Sequence, residues 1–246
     1  MKNLIKKILP TALMIVAFSA IRAVRVFLSR PPAFKCPICD KAVRGYWSGL
    51  GVHTHLTCSK CHSLSRQRLI SLWIRRHLRS FTEAKSCLHV AVEPCLKTYL
   101  LQTLNIEKYV TADQFNPADI KLDITDTNLE SESFDLIIVN HVFEHVGDDQ
   151  AAASEVYRIL KPGGRGIVSV PIIYSWPETY TNPDIVTEAD REKHFGQYDH
   201  VRFYGRDFLE LFEQLGFKVQ EVIANGLDSV EFGLDRGEVV LMLEKD

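Results

Sequence analysis

The stretch FDLIIVNHVFEHVGDDQAAASEVYRILKPGG, residues 134–164, decides the fold. Leu136 to Val139 run without a polar break, as strands buried on both faces of a parallel sheet do. Asn140, His141, Glu144 and His145 follow at once, and ligands bind at the carboxyl ends of strands in open α/β sheets. Asp148 and Asp149 suit a helix N-terminus, Ala153, Val156, Tyr157 and Leu160 give it an apolar stripe, and Lys161-Pro162-Gly163-Gly164 stops it. A second buried strand is expected from Gly166 to Val170. Strand, helix and strand in this order predict an α/β domain.

FDLIIVNHVFEH, a helix and then LKPGG resemble the fourth-to-fifth-strand segment of the class I S-adenosylmethionine-dependent methyltransferases, in particular the type 11 branch. The resemblance runs from about Ser86 to Asp246. It implies an α/β fold with a Rossmann-like, seven-stranded, mostly parallel sheet and an antiparallel C-terminal hairpin. Methyl transfer from S-adenosylmethionine is the implied activity. In this family the first strand ends in an acid and a glycine-rich loop; here the stretch is Cys87-Leu88-His89-Val90-Ala91-Val92-Glu93-Pro94-Cys95, with His89 at the acidic position and Ala91 and Glu93 where glycines are expected. Small Ala91 still permits close approach, and Glu93 is a candidate to receive the cofactor's ammonium group; an ordinary turn with a solvated glutamate is the plainer reading. Tyr109 to Asp113 matches the family's second strand, with Asp113 placed to accept both ribose hydroxyls, as one carboxylate accepts two donors. Asp123 and Ile124 fall where the family contacts the adenine, Asn140 joins them at the fourth strand, and Asp126 reads as a turn residue.

A hydroxyl or ammonium acceptor also needs a base. His141, just past the fourth strand, is the first candidate and His200 the second, while Glu144 and His145 suit bracing a helix. Pro171 to Gly205 form a long aromatic and polar connection, read as a lid and substrate wall, with His194, Asp199, His200 and Arg202 as its leading polar groups. Arg206 to Leu215 is expected as a helix, Phe217 to Ile223 and Glu238 to Leu243 as strands.

Upstream lies the strongest local signal. Cys36-Pro37-Ile38-Cys39 and Cys58-Ser59-Lys60-Cys61 form two C-x2-C knuckles, and four thiolates so spaced suit one tetrahedral Zn2+. The spacing resembles a zinc ribbon, with strand and turn expected through Arg44 to Trp47 and Gly49 to Gly51. A closed four-cysteine site makes the metal structural; His53, His55 and His62 as ligands, or disulfides, are the alternatives. Residues 31–62 are thus a zinc-ribbon module, residues 63–82 an Arg-rich linker helix carrying Arg66, Arg68, Arg75, Arg76 and Arg79, and residues 83–246 the catalytic domain with its insertion at about 171–205.

The 246 residues, 46% of them hydrophobic, accommodate one such domain and a module. The net charge of −2 hides a division: residues 1–80 hold 15 Lys and Arg against one acid, residues 81–246 hold 14 against 30. That asymmetry suits an anionic partner for the first third, a solvated basic face being the plainer alternative. Residues 1–30 place Lys2, Lys6 and Lys7 before an apolar run from Ile8 to Ile21, shorter than the roughly 20 residues of a comfortable span. A cytoplasm-facing membrane anchor is expected, either a span from about Leu4 to Leu28 with Arg22 and Arg25 snorkelling or a helix lying on the bilayer, with a disordered tail as the plainer alternative; a signal peptide conflicts with reduced thiols. The acceptor is expected to be a small molecule or a lipid-linked one. RNA held by the module and the basic helix is the less favoured alternative, and a non-catalytic scaffold with a degenerate cofactor loop is another. Oxidoreductase chemistry is weakest, since no G-x-G-x-x-G follows the first strand.

Overall fold

The computed structural model describes Val24, residues 33–48 and residues 55–246. The expected membrane anchor and the Gly49 to Gly51 turn lie outside the described residues. Among the described residues, no helix is long and apolar enough to cross a membrane.

The sheet is built from β5 (Ser86–Val90), β6 (Lys108–Asp113), β7 (Ile120–Lys121), β8 (Phe134–Asn140), β9 (Leu160–Ser169), β12 (Phe217–Ile223) and β13 (Val239–Lys245). Their spatial order is β12-β13-β9-β8-β5-β6-β7. The five strands from β9 to β7 pair in parallel, and β13 runs antiparallel to both β9 and β12. This is the expected mostly parallel sheet with an antiparallel closing hairpin. Chain order leaves β5 in one direction through β6 and β7 and in the other through β8 and β9, which creates a crevice at the β5/β8 carboxyl ends.

Alternation along β8 explains the layers. Ile137 and Val139 face one core with α3 (Asp149–Ile159), through Ala152, Ala153, Val156 and Ile159, while Leu136 and Ile138 face the other with α1 (Ser65–Arg76) and α2 (Pro94–Thr103). All four β8 side chains are fully buried, which is why the sequence shows no polar break. α3 begins as expected, with the Asp148 carboxylate accepting from the Ala151 N–H at 2.9 Å.

Two elements differ from expectation. The linker helix is α1, ended at His77 and followed by a 3-10 turn at Leu78–Phe81. It buries Ile70 and Ile74 as well as Leu69 and Leu72 because it packs between the sheet and the cysteine module. The expected helix at 206–215 is a 3-10 turn, Arg206–Phe208, followed by the short α5, Glu210–Glu213. Within the insertion, β10 (Tyr180–Thr181) and β11 (Arg202–Phe203) form a hairpin flanking α4 (Glu188–Phe195).

In the cysteine module, β1 (Ala33–Cys36) pairs with β2 (Lys41–Arg44), and β3 (Tyr46–Ser48) with β4 (His55–Thr57), both antiparallel. α6 (Gly226–Glu231) and the residues after it close over this module from the other end of the chain.

Candidate functional site

Three strand ends meet at the crevice. After β5, Ala91 takes a left-handed turn with φ 51°, and its N–H donates to the Ala112 carbonyl at 2.8 Å. A left-handed alanine is strained by about 1–2 kcal/mol, so the backbone makes the bend that a glycine would make, without one. Glu93 follows and is buried. Its Oε1 accepts from Arg66 Nε at 2.9 Å and Gln67 Nε2 at 2.5 Å, and its Oε2 accepts from Asn140 Nδ2 at 2.9 Å. Burial pushes the carboxyl up, but the Arg66 and His89 charges and the Gln67 and Asn140 hydrogen bonds outweigh it and hold Glu93 below the usual range. Asn140 is fixed in turn, its Oδ1 accepting from Ser169 Oγ at 2.9 Å. Arg66 and Gln67 are site neighbours that the sequence reading missed; the adjacent pair on a basic helix gave no cue to a buried glutamate.

Asp113 ends β6, and its Oδ1 accepts from the N–H groups of Phe115 at 2.8 Å and Asn116 at 2.6 Å. Oδ2 receives only the Asn116 side chain, at 3.2 Å, which leaves acceptor capacity for a diol. Burial raises the Asp113 carboxyl, and the backbone donors of Asn116 and Phe115 more than offset it, so it stays ionised. Asp123 accepts from the Thr125 N–H at 2.9 Å and from Gln114 Nε2 at 3.1 Å, which ties the second and third strand ends together. Ile124 is buried in the core beside them.

His141 follows Asn140 in the left-handed region, φ 52°, with its N–H donating to Ser169 O at 2.8 Å. Its Nδ1 lies 3.0 Å from Glu144 Oε1, and its Nε2 is buried without a hydrogen-bond partner. The insertion is fastened to this segment: the Val201 N–H donates to Glu144 O at 2.9 Å, and Arg202 donates to Val146 O at 2.9 Å and Gly147 O at 2.7 Å and pairs with Asp149. His200 is thereby brought beside His145, with ring centroids 4.7 Å apart. Burial holds the His200 imidazole below its ordinary value, so it is neutral at neutral pH. Asp199 reaches His145, whereas His194 contacts Tyr180 Oη at 3.0 Å and stays apart from the cluster.

The thiols of Cys36, Cys39, Cys58 and Cys61 lie within 4.8 Å of one another. Cys36 Sγ is 3.6 Å from Cys61 Sγ, and Cys39 Sγ is 3.9 Å from Cys58 Sγ. His62 is instead directed to Tyr46 Oη at 3.3 Å, and His55 to Asp235 at 3.5 Å. Of the Arg-rich set, Arg68 is fully buried, Arg75 binds Asp40 and Pro37 O, and Arg76 binds Asp228.

Residues 89–168 match the family described as "Methyltransferase domain". Within the seven-stranded sheet, residues 89–168 are thus methyltransferase-like. A Burkholderia thailandensis 1,6-didemethyltoxoflavin-N1-methyltransferase, solved with 1,6-didemethyltoxoflavin and S-adenosylhomocysteine, is similar in fold at TM-score 0.51 and 15% identity, over 74% of this chain and 78% of that one. An Archaeoglobus fulgidus S-adenosylmethionine-dependent methyltransferase aligns at TM-score 0.48 and 13% identity, over 73% and 94%. No curated protein sequence matches the chain. The crevice lies at the β5/β8 switch, where Glu93 is bound to Asn140, with Asp113 at the end of the neighbouring β6.

Proposed function

We propose that this domain methylates a small-molecule or lipid-linked acceptor between the β8 carboxyl end and the 171–205 insertion. The observation that carries the reading is the sheet order together with Asp113 at the tip of the second strand, its Oδ2 still able to accept. S-adenosylmethionine supplies a methyl group already activated on a sulfonium, so the protein's task is placement. Asp113 would hold the ribose hydroxyls, Asp123 and Ile124 the adenine, and Ala91, Glu93 and Asn140 the amino-acid end. Glu93 Oε2 has one donor, which leaves it room for an ammonium. His141, whose Nε2 lacks a partner, would take the acceptor's proton, with His200 as the second candidate.

Zn2+ fits the four-cysteine cluster as a structural ion, because the thiols converge and supply four soft ligands with no position left over. Four of the five helix arginines have internal partners, which favours a small or lipid-linked acceptor over RNA. The charged N-terminal segment, residues 1–30, would bring the domain to a membrane surface and keep it on the cytoplasmic side.

The deciding experiment is calorimetric titration of S-adenosylmethionine and S-adenosylhomocysteine into the full-length protein beside Asp113→Ala. Binding that weakens at least tenfold in the variant is expected. Absence of binding to the folded wild-type protein would make the Glu93–Arg66–Gln67–Asn140 network a plug and the domain a scaffold.

A further inference from the structure

Beside the proposed methyl-acceptor position, Glu144, His145 and His200 each offer one ligand atom, all within 4.8 Å of one another. Two of these residues come from the 3-10 turn after β8, Phe143–His145, and the third from the insertion. We propose that they bind a divalent transition-metal cation.

Four features of the site argue for a cation. The Glu144 side chain is 2% exposed, and of its two carboxylate oxygens Oε1 meets His141 Nδ1 at 3.0 Å while Oε2 is buried without a partner among the described residues. A buried, unsatisfied carboxylate is costly unless something positive meets it, and His141 Nδ1 near Oε1 addresses only one oxygen. His200 Nδ1 lies 3.2 Å from the Phe195 carbonyl, so it carries the proton and donates, leaving Nε2 with a free lone pair. His145 Nδ1 lies 3.3 Å from Asp199 Oδ2, which directs its Nε2 in the same way. Metal-binding histidines are oriented by such partners, a backbone carbonyl in one case and a carboxylate in the other.

Two imidazoles and one carboxylate select Mn2+, Fe2+, Co2+ or Zn2+ over Mg2+ or Ca2+, which prefer all-oxygen sets. Three protein ligands leave further positions open. Granted the methyltransferase reading, an acceptor hydroxyl occupies such a position, His200 is a ligand rather than a base, and proton removal falls to His141.

Mn2+ is the probe, titrated into full-length protein holding one equivalent of Zn2+ in its cysteine module, with free Mn2+ followed by electron paramagnetic resonance. One Mn2+ per chain is expected to leave the free pool, with affinity at least tenfold lower in Glu144→Gln and His200→Ala. Should either variant unfold, Asp199→Asn decides, since loss of an outer partner weakens a metal site about 10–100-fold. The Asp113→Ala protein should bind Mn2+ normally while losing S-adenosylmethionine, so failure of the cofactor reading is separable from failure of this one. No Mn2+ uptake by the wild-type protein, or uptake unaltered in the folded variants, would overturn the proposal.

Discussion

His89 shows how a single buried residue ties the β5 end to the stability of the fold. It is fully buried on β5 and lies with Nδ1 2.6 Å from Tyr109 Oη. Burial holds its imidazole down at about 4. The unfolded chain therefore binds one more proton than the folded one between about pH 6.5 and pH 4, and stability falls as pH drops through that window. Full stability is present above about pH 6.5, and the total loss is about 3 kcal/mol by pH 4. Urea unfolding at pH 7.5 and pH 5 should show a larger drop in midpoint for the wild-type protein than for His89→Gln; equal drops would refute the assignment. Glu93 makes the complementary case. Replacing it by alanine leaves Arg66, 17% exposed, without its partner, and should lower unfolding free energy by about 3 kcal/mol in the same assay. Ala91→Gly, by contrast, relieves the left-handed turn and should raise stability by about 1 kcal/mol.

At the level of elements, the insertion is held by one close approach that the sequence does not reveal. A Cβ added to Gly205 would lie 2.5 Å from the backbone carbonyl carbon and oxygen of Glu178, and backbone cannot step aside as a side chain can. Gly205→Ala should displace the 176–180 segment of the insertion from its seat, destabilise the protein by about 1–3 kcal/mol, and speed amide exchange across residues 172–205 while β8 stays protected. Uniform exchange across both regions would show that the insertion is not a separable layer. The elements differ in legibility for physical reasons. The β8 strand was readable because a doubly covered strand must be continuously apolar. α4 was not, because Phe195 is its one buried side chain and EADREKHF therefore carries no apolar stripe. Asp113 and Asn140 could be placed from strand ends alone. The meeting of His200 with Glu144 and His145 could not, because it depends on the β10–β11 hairpin and the Arg202 anchor folding the insertion back.

Across the whole molecule, the two ends of the chain are joined through Arg68. Its fully buried guanidinium donates to the carbonyls of Leu56 at 2.8 Å and Ser63 in the cysteine module, and to those of Phe232 at 3.0 Å and Gly233 beyond α6. It also lies over the Phe34 ring at 4.8 Å. Charge composition reads this residue as part of a solvated basic face, because a buried arginine is rare in general. Here the four carbonyls lie on three separate segments, Leu56 on β4, Ser63 ahead of α1 and Phe232 and Gly233 after α6, so one planar five-donor group reaches acceptors that no neutral side chain could reach together. Phe34 completes the joint, since a Cβ on Gly233 would fall 2.6 Å from its ring. The module is thus part of the domain's own closure, and Zn2+ bound by its cysteines, as proposed, would be linked to the domain's stability by mass action. Arg68→Met keeps the volume and removes the donors from these carbonyls, of which Ser63 O keeps the Cys58 N–H, at about 1–3 kcal/mol for each one left unpaired before relaxation. The expected result is a lower thermal midpoint in the Zn2+-loaded protein, together with faster Zn2+ transfer to a colorimetric chelator. Arg79→Met, on the exposed 3-10 turn after α1, should change neither. A lower midpoint with unaltered Zn2+ release would instead mean that Arg68 serves the core alone and that the cysteine module closes independently of the chain's far end.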